Sequence, residues 1–186
     1  MIRMKLVVGL GNPEFRYDGT RHNVGFAMLD IYAKREKAKW QDKPKFKALI
    51  ADLMADEKVI LAKPTTYYNL SGETVRAIAD FYKIPVENIL VVHDDYALPF
   101  GTLRTREQGS DGGNNGIKSI NTHMGPGTNR VRIGTGTDLR DQMSDSDYVL
   151  SKFSEAELRD LIAMQHKIAE IIDDFINNKF FATTHK

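Results

Sequence analysis

Short apolar runs of strand length alternate with stretches of helical periodicity along almost the whole chain, and this interleaving constrains the fold more than any other feature. Residues 5–9 form an apolar run closing on Gly9-Leu10-Gly11-Asn12-Pro13, and residues 89–92 are all apolar; both read as buried strands. Helices are expected over 23–34, where Phe26, Leu29, Ile31 and Ala33 recur, over 70–82, where Val75, Ile78, Ala79 and Tyr82 keep helical spacing behind the caps Asn69 and Ser71, and over 115–123. The runs at 46–53 and 58–63 read as a hairpin ended by Pro64. Residues 101–106 alternate like an exposed strand, 130–134 form another strand, and the charged stretch 35–46, with Trp40, reads as a connecting loop. Ser154-Glu155-Ala156-Glu157 is a capping box. It opens a long helix whose packing stripe comprises Leu158, Leu161, Ile162, Ile168, Ile171, Ile172 and Phe175. Strands interleaved with helices, plus one hairpin, argue for an α/β fold with a mixed sheet.

The 186 residues suit a single domain, 1–186, around one substantial core. Lysine and arginine total 26 against 25 aspartates and glutamates, so the net charge of +1 offers no global attraction for nucleic acid. Any such contact needs a local basic patch. Cysteine is absent, which removes disulfides, thiolate catalysis and cysteine-based zinc sites. No run approaches the roughly 18–20 apolar residues of a bilayer span. The start, Met1-Ile2-Arg3-Met4-Lys5, lacks the long apolar core and small-residue cleavage site of a signal peptide. No membrane association is expected, and a cytoplasmic location fits.

In α/β sheets ligands gather beyond the carboxyl ends of strands. Asn12 follows the first strand, Asn69 follows 58–63, Asp94 follows 89–92, and His22 lies on the loop between the first strand and first helix. An imidazole held by a carboxylate makes a general base, because the carboxylate fixes the tautomer and stabilises the imidazolium. Asn12, Asn69 and Asn115, with loop backbone near Gly112-Gly113, offer N–H donors to a developing oxyanion. The other histidines have weaker claims: His93 ends a strand and reads as packed, His123 and His166 fall on helices, and His185 is in the tail. A dinucleotide site is disfavoured, because Glu14 replaces the third glycine of the fingerprint and Pro13 stiffens its loop. No G-x-S-x-G elbow is present, and Ser71, Ser110, Ser119 and Ser151 read as caps or loop residues. His93-Asp94-Asp95 would point alternately to opposite faces of a strand, a poor metal site. Water activated by His22 with Asp94, attacking a carbonyl ester without metal or cofactor, is the leading chemistry.

Five separated motifs, in order, carry a resemblance to bacterial-type peptidyl-tRNA hydrolases from end to end. They are Val8-Gly9-Leu10-Gly11-Asn12-Pro13; Tyr17 with Thr20-Arg21-His22-Asn23-Val24-Gly25-Phe26; Lys63-Pro64-Thr65-Thr66-Tyr67-Tyr68-Asn69-Leu70-Ser71-Gly72; His93-Asp94-Asp95 with Leu98-Pro99-Phe100-Gly101; and residues 109–116, Gly-Ser-Asp-Gly-Gly-Asn-Asn-Gly. The resemblance implies hydrolysis of the ester between peptide and tRNA, His22 as general base and Asp94 as its partner. It implies that Asn12 and Asn69 hold the peptide end and scissile carbonyl, that Asn115 orders the attacking water, and that Tyr17 places the tRNA end. It also implies a monomer without cofactor, and a single-domain, mixed but mostly parallel twisted sheet flanked by helices, with a mobile helical lid at about 138–152. Arg104 and Arg106, alternating on one strand face, and Arg132 match basic positions that grip the tRNA 5′ phosphate.

The chain departs from the family pattern at several places. Glu14 stands where the family usually has glycine, which questions the loop geometry if a positive φ is needed. Tyr67-Tyr68 stand for Phe-Met, and the larger Tyr68 ring is expected to line the peptide channel by stacking. Asn114 stands for histidine, which questions loop ordering or secondary tRNA contacts. A catalytically silent RNA-binding relative is the alternative reading. The retained His22, Asp94, Asn12 and Asn69 argue against it, since a binding protein needs no oriented imidazole.

Overall fold

The computed structural model describes residues 3–53 and 55–186; Met1 and Ile2 of the start considered above lie outside them. Its centre is an eight-stranded sheet. In chain order the strands are β1 (Met4–Gly9), β2 (Gln41–Lys43), β3 (Ala48–Leu53), β4 (Lys58–Pro64), β5 (Ile89–Pro99), β6 (Leu103–Arg106), β7 (Asn129–Gly136) and β8 (Thr183–His185). They lie in the order β2-β3-β4-β1-β5-β7-β6-β8. The central pairings β4–β1, β1–β5 and β5–β7 are parallel. Both flanks are antiparallel, so the parallel character expected of the sheet is confined to its core. The helices are α1 (Val24–Arg35), α2 (Ser71–Tyr82), α3 (Asn115–Met124), the short α4 (Asp145–Val149) and the long α5 (Glu155–Ile176).

The central strands alternate between two apolar clusters, one on each face. Val7, Leu61, Leu90 and Val92 meet α1 and α5, whereas Leu6, Val8, Ile60 and Val91 meet α2 and α3. Period-two alternation with both neighbours apolar explains why these strands read as continuous hydrophobic runs. The helix α1 packs tightly because Gly25 has no Cβ; one added there would collide with the carbonyl of Val92 and the backbone of Leu10. The capping box opens α5 as expected. Along α5 the stripe is narrower than read from sequence: Leu161, Ile168, Ile171, Ile172 and Phe175 are buried, while Leu158 and Ile162 are exposed.

Four further differences follow from the way the strands pair. The stretch 35–46 contains β2, whose Gln-Asp-Lys sequence has no apolar alternation because it is a solvated edge. The strand expected to be exposed at 101–106 is covered: β8 pairs beside β6, and Leu103 and Thr105 are each only 2 % exposed. His185, read as tail, belongs to β8. The strand expected to end at Val92 runs on to Pro99, so Asp94 lies inside β5. Pairing with β1 nevertheless stops at Gly9 opposite Val92, and beyond it β5 keeps only β7 as neighbour. The sheet opens at that point, and the site forms in the opening. Among the described residues no helix is long and apolar enough to cross a membrane.

Candidate active site

His22 enters this opening on the 3-10 turn Arg21–Asn23 that leads into α1. Its Nδ1 lies 2.9 Å from Oδ2 of Asp94. The Asp94 side chain is only 1 % exposed. Burial pushes its carboxyl upward, but the electrostatic pull of the adjacent His22 ring and the hydrogen bonds from His22 and Tyr68 outweigh that and hold it below the usual aspartate value. An ionised carboxylate only accepts hydrogen bonds, so Nδ1–H is the donor and Nε2 is left as the basic nitrogen.

Asn12 is held by a neighbour that the sequence reading passed over. The Asn23 side chain accepts from the Asn12 N–H at 2.8 Å and donates to the Asn12 carbonyl at 2.9 Å. Oδ1 of Asn12 accepts the backbone N–H of Tyr68 at 2.8 Å. With its oxygen committed, the Asn12 amide keeps its NH2 donors for the cleft. Tyr68 lies on the 3-10 turn Tyr68–Leu70 before α2. Its ring stacks on the His22 imidazole, with centroids 3.5 Å apart and planes 10° from parallel. Its hydroxyl donates to Oδ1 of Asp94 at 2.6 Å. Buried beside that negative charge, the phenol is pushed well above its ordinary value, with burial the larger cause, and it stays protonated.

Asn12, His22, Tyr68, Asn69, Asp94 and Asn115 line one cleft of about 430 Å³, closed on the far side by Asp145, Val149 and Leu150 of the α4 region. The segment expected as a helical lid, 138–152, thus contains a 3-10 turn, Asp138–Gln142, and α4. Asn69 and Asn115 are exposed at the cleft surface. Tyr17 is half-buried on the turn Phe15–Tyr17, under the Arg16 guanidinium, and is not among the residues lining the cleft.

A second cleft meets the first at Asp94, Tyr96 and Asn114, and is lined by Arg106, Arg130 and Arg132 with residues of the 108–112 loop. The antiparallel register sets Arg104 opposite Arg132 and Arg106 opposite Arg130, so the four arginines share one sheet face. Burial, with Arg104 and Arg132 nearby, pushes Arg106 below its ordinary value. Arg132 is not free, since it pairs with Asp95 at 2.6 Å. Arg104 donates to Thr184 of β8 at 3.1 Å. Arg130 was not anticipated; it is 3 % exposed and bonds the Ser110 carbonyl and Asn121. His93 is buried in β5 with Nε2 unpartnered, at the wall of this second cleft.

The departures from the family pattern fall into hydrogen-bonded pairs. Glu14 takes an ordinary extended backbone, φ −77, so no left-handed conformation is needed there, and its carboxylate accepts from the Tyr67 hydroxyl at 2.7 Å. Asn114 caps α3, and its amide donates to the Tyr68 hydroxyl at 2.8 Å. Among the described residues no group of three or more histidines and carboxylates is arranged to hold a metal ion.

Comparison with known proteins agrees with this architecture. Residues 6–186 match the family model described as peptidyl-tRNA hydrolase. A protein of that name from Listeria monocytogenes is 42 % identical over 185 residues, covering 98 % of both chains. One from Bacillus thuringiensis is 44 % identical over 179 residues, covering 95 % of each. The crystal structure of peptidyl-tRNA hydrolase from Acinetobacter baumannii superposes with a TM-score of 0.87 at 31 % identity, covering 96 % of this chain and 91 % of that one. A match over nearly the whole chain, in sequence and in fold, means that the chain belongs to the peptidyl-tRNA hydrolase family.

Proposed function

We propose that the chain hydrolyses the ester joining peptide to tRNA in peptidyl-tRNA, releasing free tRNA, with a water molecule that His22 activates and Asp94 as its partner carboxylate. The observation that carries this is the 2.9 Å contact between His22 and Asp94 inside a cleft edged by asparagines. Nε2 of His22 takes a proton from water as the oxygen attacks the ester carbonyl. Asp94 stabilises the imidazolium, which then returns the proton to the departing tRNA oxygen. The Asn12 amide, oriented by the Tyr68 N–H, supplies a donor to the developing oxyanion. Asn69 and Asn115 edge the same cleft, where a peptide end and an attacking water have to be placed. Tyr17, which is not among the residues lining the cleft, is assigned to the tRNA end only by family resemblance.

Arg106 and Arg132 in the second cleft, with Arg104 on the same sheet face, form the phosphate grip. Like charges brought together across strands are unfavourable until an anion sits among them, which supports this reading. Phosphate contacts of this kind recognise any tRNA without reading its bases. A monomer acting in the cytoplasm without metal or cofactor completes the proposal.

The test is release of free tRNA from a model peptidyl-tRNA in the presence of EDTA. The wild-type protein is expected to turn over, and His22→Ala to lose at least about a hundredfold in kcat, the scale of a lost general base. Undiminished turnover by His22→Ala would remove the imidazole from the mechanism. A wild-type activity lost to EDTA and restored by zinc would replace it with metal chemistry.

A further inference from the structure

We propose that the Tyr68 hydroxyl and the Asn114 amide work as one positioning unit that orients the Asp94 carboxylate, and through it the His22 ring. This rests on the His22–Asp94 reading above and deepens it.

The argument is a chain of hydrogen-bond constraints running from α3 to the imidazole. Asn114 is the N-cap of α3, and its Oδ1 accepts the Ile117 N–H at 3.0 Å. That fixes the amide orientation, so its NH2 must face the other way. There it donates to the Tyr68 hydroxyl oxygen at 2.8 Å and approaches the Asp94 carbonyl at 3.3 Å. An NH2 group can only donate, so the Tyr68 oxygen must accept, and its single O–H is directed at Oδ1 of Asp94. Both Asp94 oxygens are then engaged, Oδ1 by Tyr68 and Oδ2 by His22. A carboxylate held at both oxygens cannot rotate away from the imidazole.

The Tyr68 ring is itself fixed. It lies flat on the His22 ring, its backbone N–H is held by Asn12, and it abuts Gly116, where a Cβ would collide with the ring. Tyr68 is among the residues lining the cleft, as a channel-lining ring would be, but most of its side chain is buried against His22 and Asp94. Tyr68 and Asn114 are also both positions at which the motifs depart from the family pattern, and the structure joins them directly.

The phenol has an electrostatic consequence. Its hydrogen bond draws charge from the Asp94 carboxylate, which weakens that carboxylate's hold on a protonated imidazole. Removing the hydroxyl concentrates charge on Asp94 and favours the imidazolium, so the general base is lost at a higher pH. The other charged or titratable groups near this couple are His93 and Asp95 on β5, Arg132 on β7, which pairs with Asp95, Tyr96 and Asp145 across the cleft, and Arg21, which pairs with Glu157. None of these bonds the His22 ring or the Asp94 carboxylate.

The experiment is a pH profile of kcat/KM for peptidyl-tRNA hydrolysis by Tyr68→Phe, Asn114→Ser and the double variant, beside wild type and His22→Ala. Phenylalanine keeps the stacked ring and removes one oxygen, and serine keeps a helix cap but cannot reach Tyr68. Melting temperatures are recorded so that folding loss is separated from misorientation. Tyr68→Phe is expected to move the acid limb upward by about 0.5–1 pH unit, with KM nearly unchanged. Asn114→Ser should move it the same way by less, and the double variant should go no further than Tyr68→Phe alone. An acid limb within about 0.2 unit of wild type in Tyr68→Phe, or fully multiplicative losses in the double variant, would overturn the coupling while a dead His22→Ala left the base assignment standing. Wild-type turnover by His22→Ala would overturn both.

Discussion

Arg106 and Arg132 show how a residue can be legible as a type and illegible as a state. Alternation on a strand was enough to put Arg104 and Arg106 on one face. The pairing of Arg132 with Asp95 and the presence of buried Arg130 opposite Arg106 depend on strand register, which no local pattern encodes. The difference predicts unequal roles. Arg106→Ala should weaken tRNA binding and lower the salt slope of log Kd by about one, as expected for one lost phosphate contact. An unchanged slope, measured by titration at several salt concentrations, would place the phosphate elsewhere. Asn23 carried no role and Asn114 stood out only as a departure from the family pattern, for a similar reason: each looks like an ordinary turn or cap asparagine, and its function lies in the partner that the fold brings to it. His22 and Asp94 were legible because an imidazole in the first strand–helix loop and a carboxylate on a central strand have few other places to meet.

The turn carrying His22 is anchored from behind by α5, which was legible in the sequence only as a packing helix. Arg21 is 1 % exposed. It pairs with Glu157 at 3.0 and 3.2 Å, donates to Ser151, and lies over the rings of Tyr148 and Phe153. One side chain thus ties the 3-10 turn Arg21–Asn23 to the 144–153 segment and to the first turn of α5. Glu157 does two jobs, since it also closes the capping box with Ser154. Glu157→Gln would leave the Arg21 charge buried without its partner, at a cost of about 3 kcal/mol or more in urea unfolding. Burial pushes the Glu157 carboxyl up, but Arg21 and the Ser154 N–H outweigh it and hold it below the ordinary value of 4.5. A depressed carboxyl contributes fully above that ordinary value and loses its contribution as pH falls through the folded one. The stability gap between wild type and Glu157→Gln should therefore be full at neutral pH and narrow in acid; a gap independent of pH would contradict the pairing. The capping box was readable as a helix start, but its carboxylate's second partner, 136 residues away, was not.

Across the whole molecule, the active cleft is a product of strand order. His22 and Asp94 are 72 residues apart in sequence and meet because β1 and β5 are parallel neighbours, with β1 stopping short. Interleaved periodicities disclosed the α/β class and its principal helices, because buried parallel strands and amphipathic helices each leave a strong signature. They did not disclose β2 and β8, which are three residues long, polar, and defined only by the edges they cover. This topology delivers an imidazole whose tautomer is set by a buried carboxylate. Asp94→Asn tests it most directly, since the amide is nearly isosteric but carries no charge to fix Nδ1–H or stabilise the imidazolium. The measurement is the single-turnover rate of peptidyl-tRNA hydrolysis at saturating enzyme. A rate lower by about a hundredfold or more with tRNA affinity preserved is expected; a rate within a factor of about three of wild type would mean that the Asp94 charge has no part in activating the water.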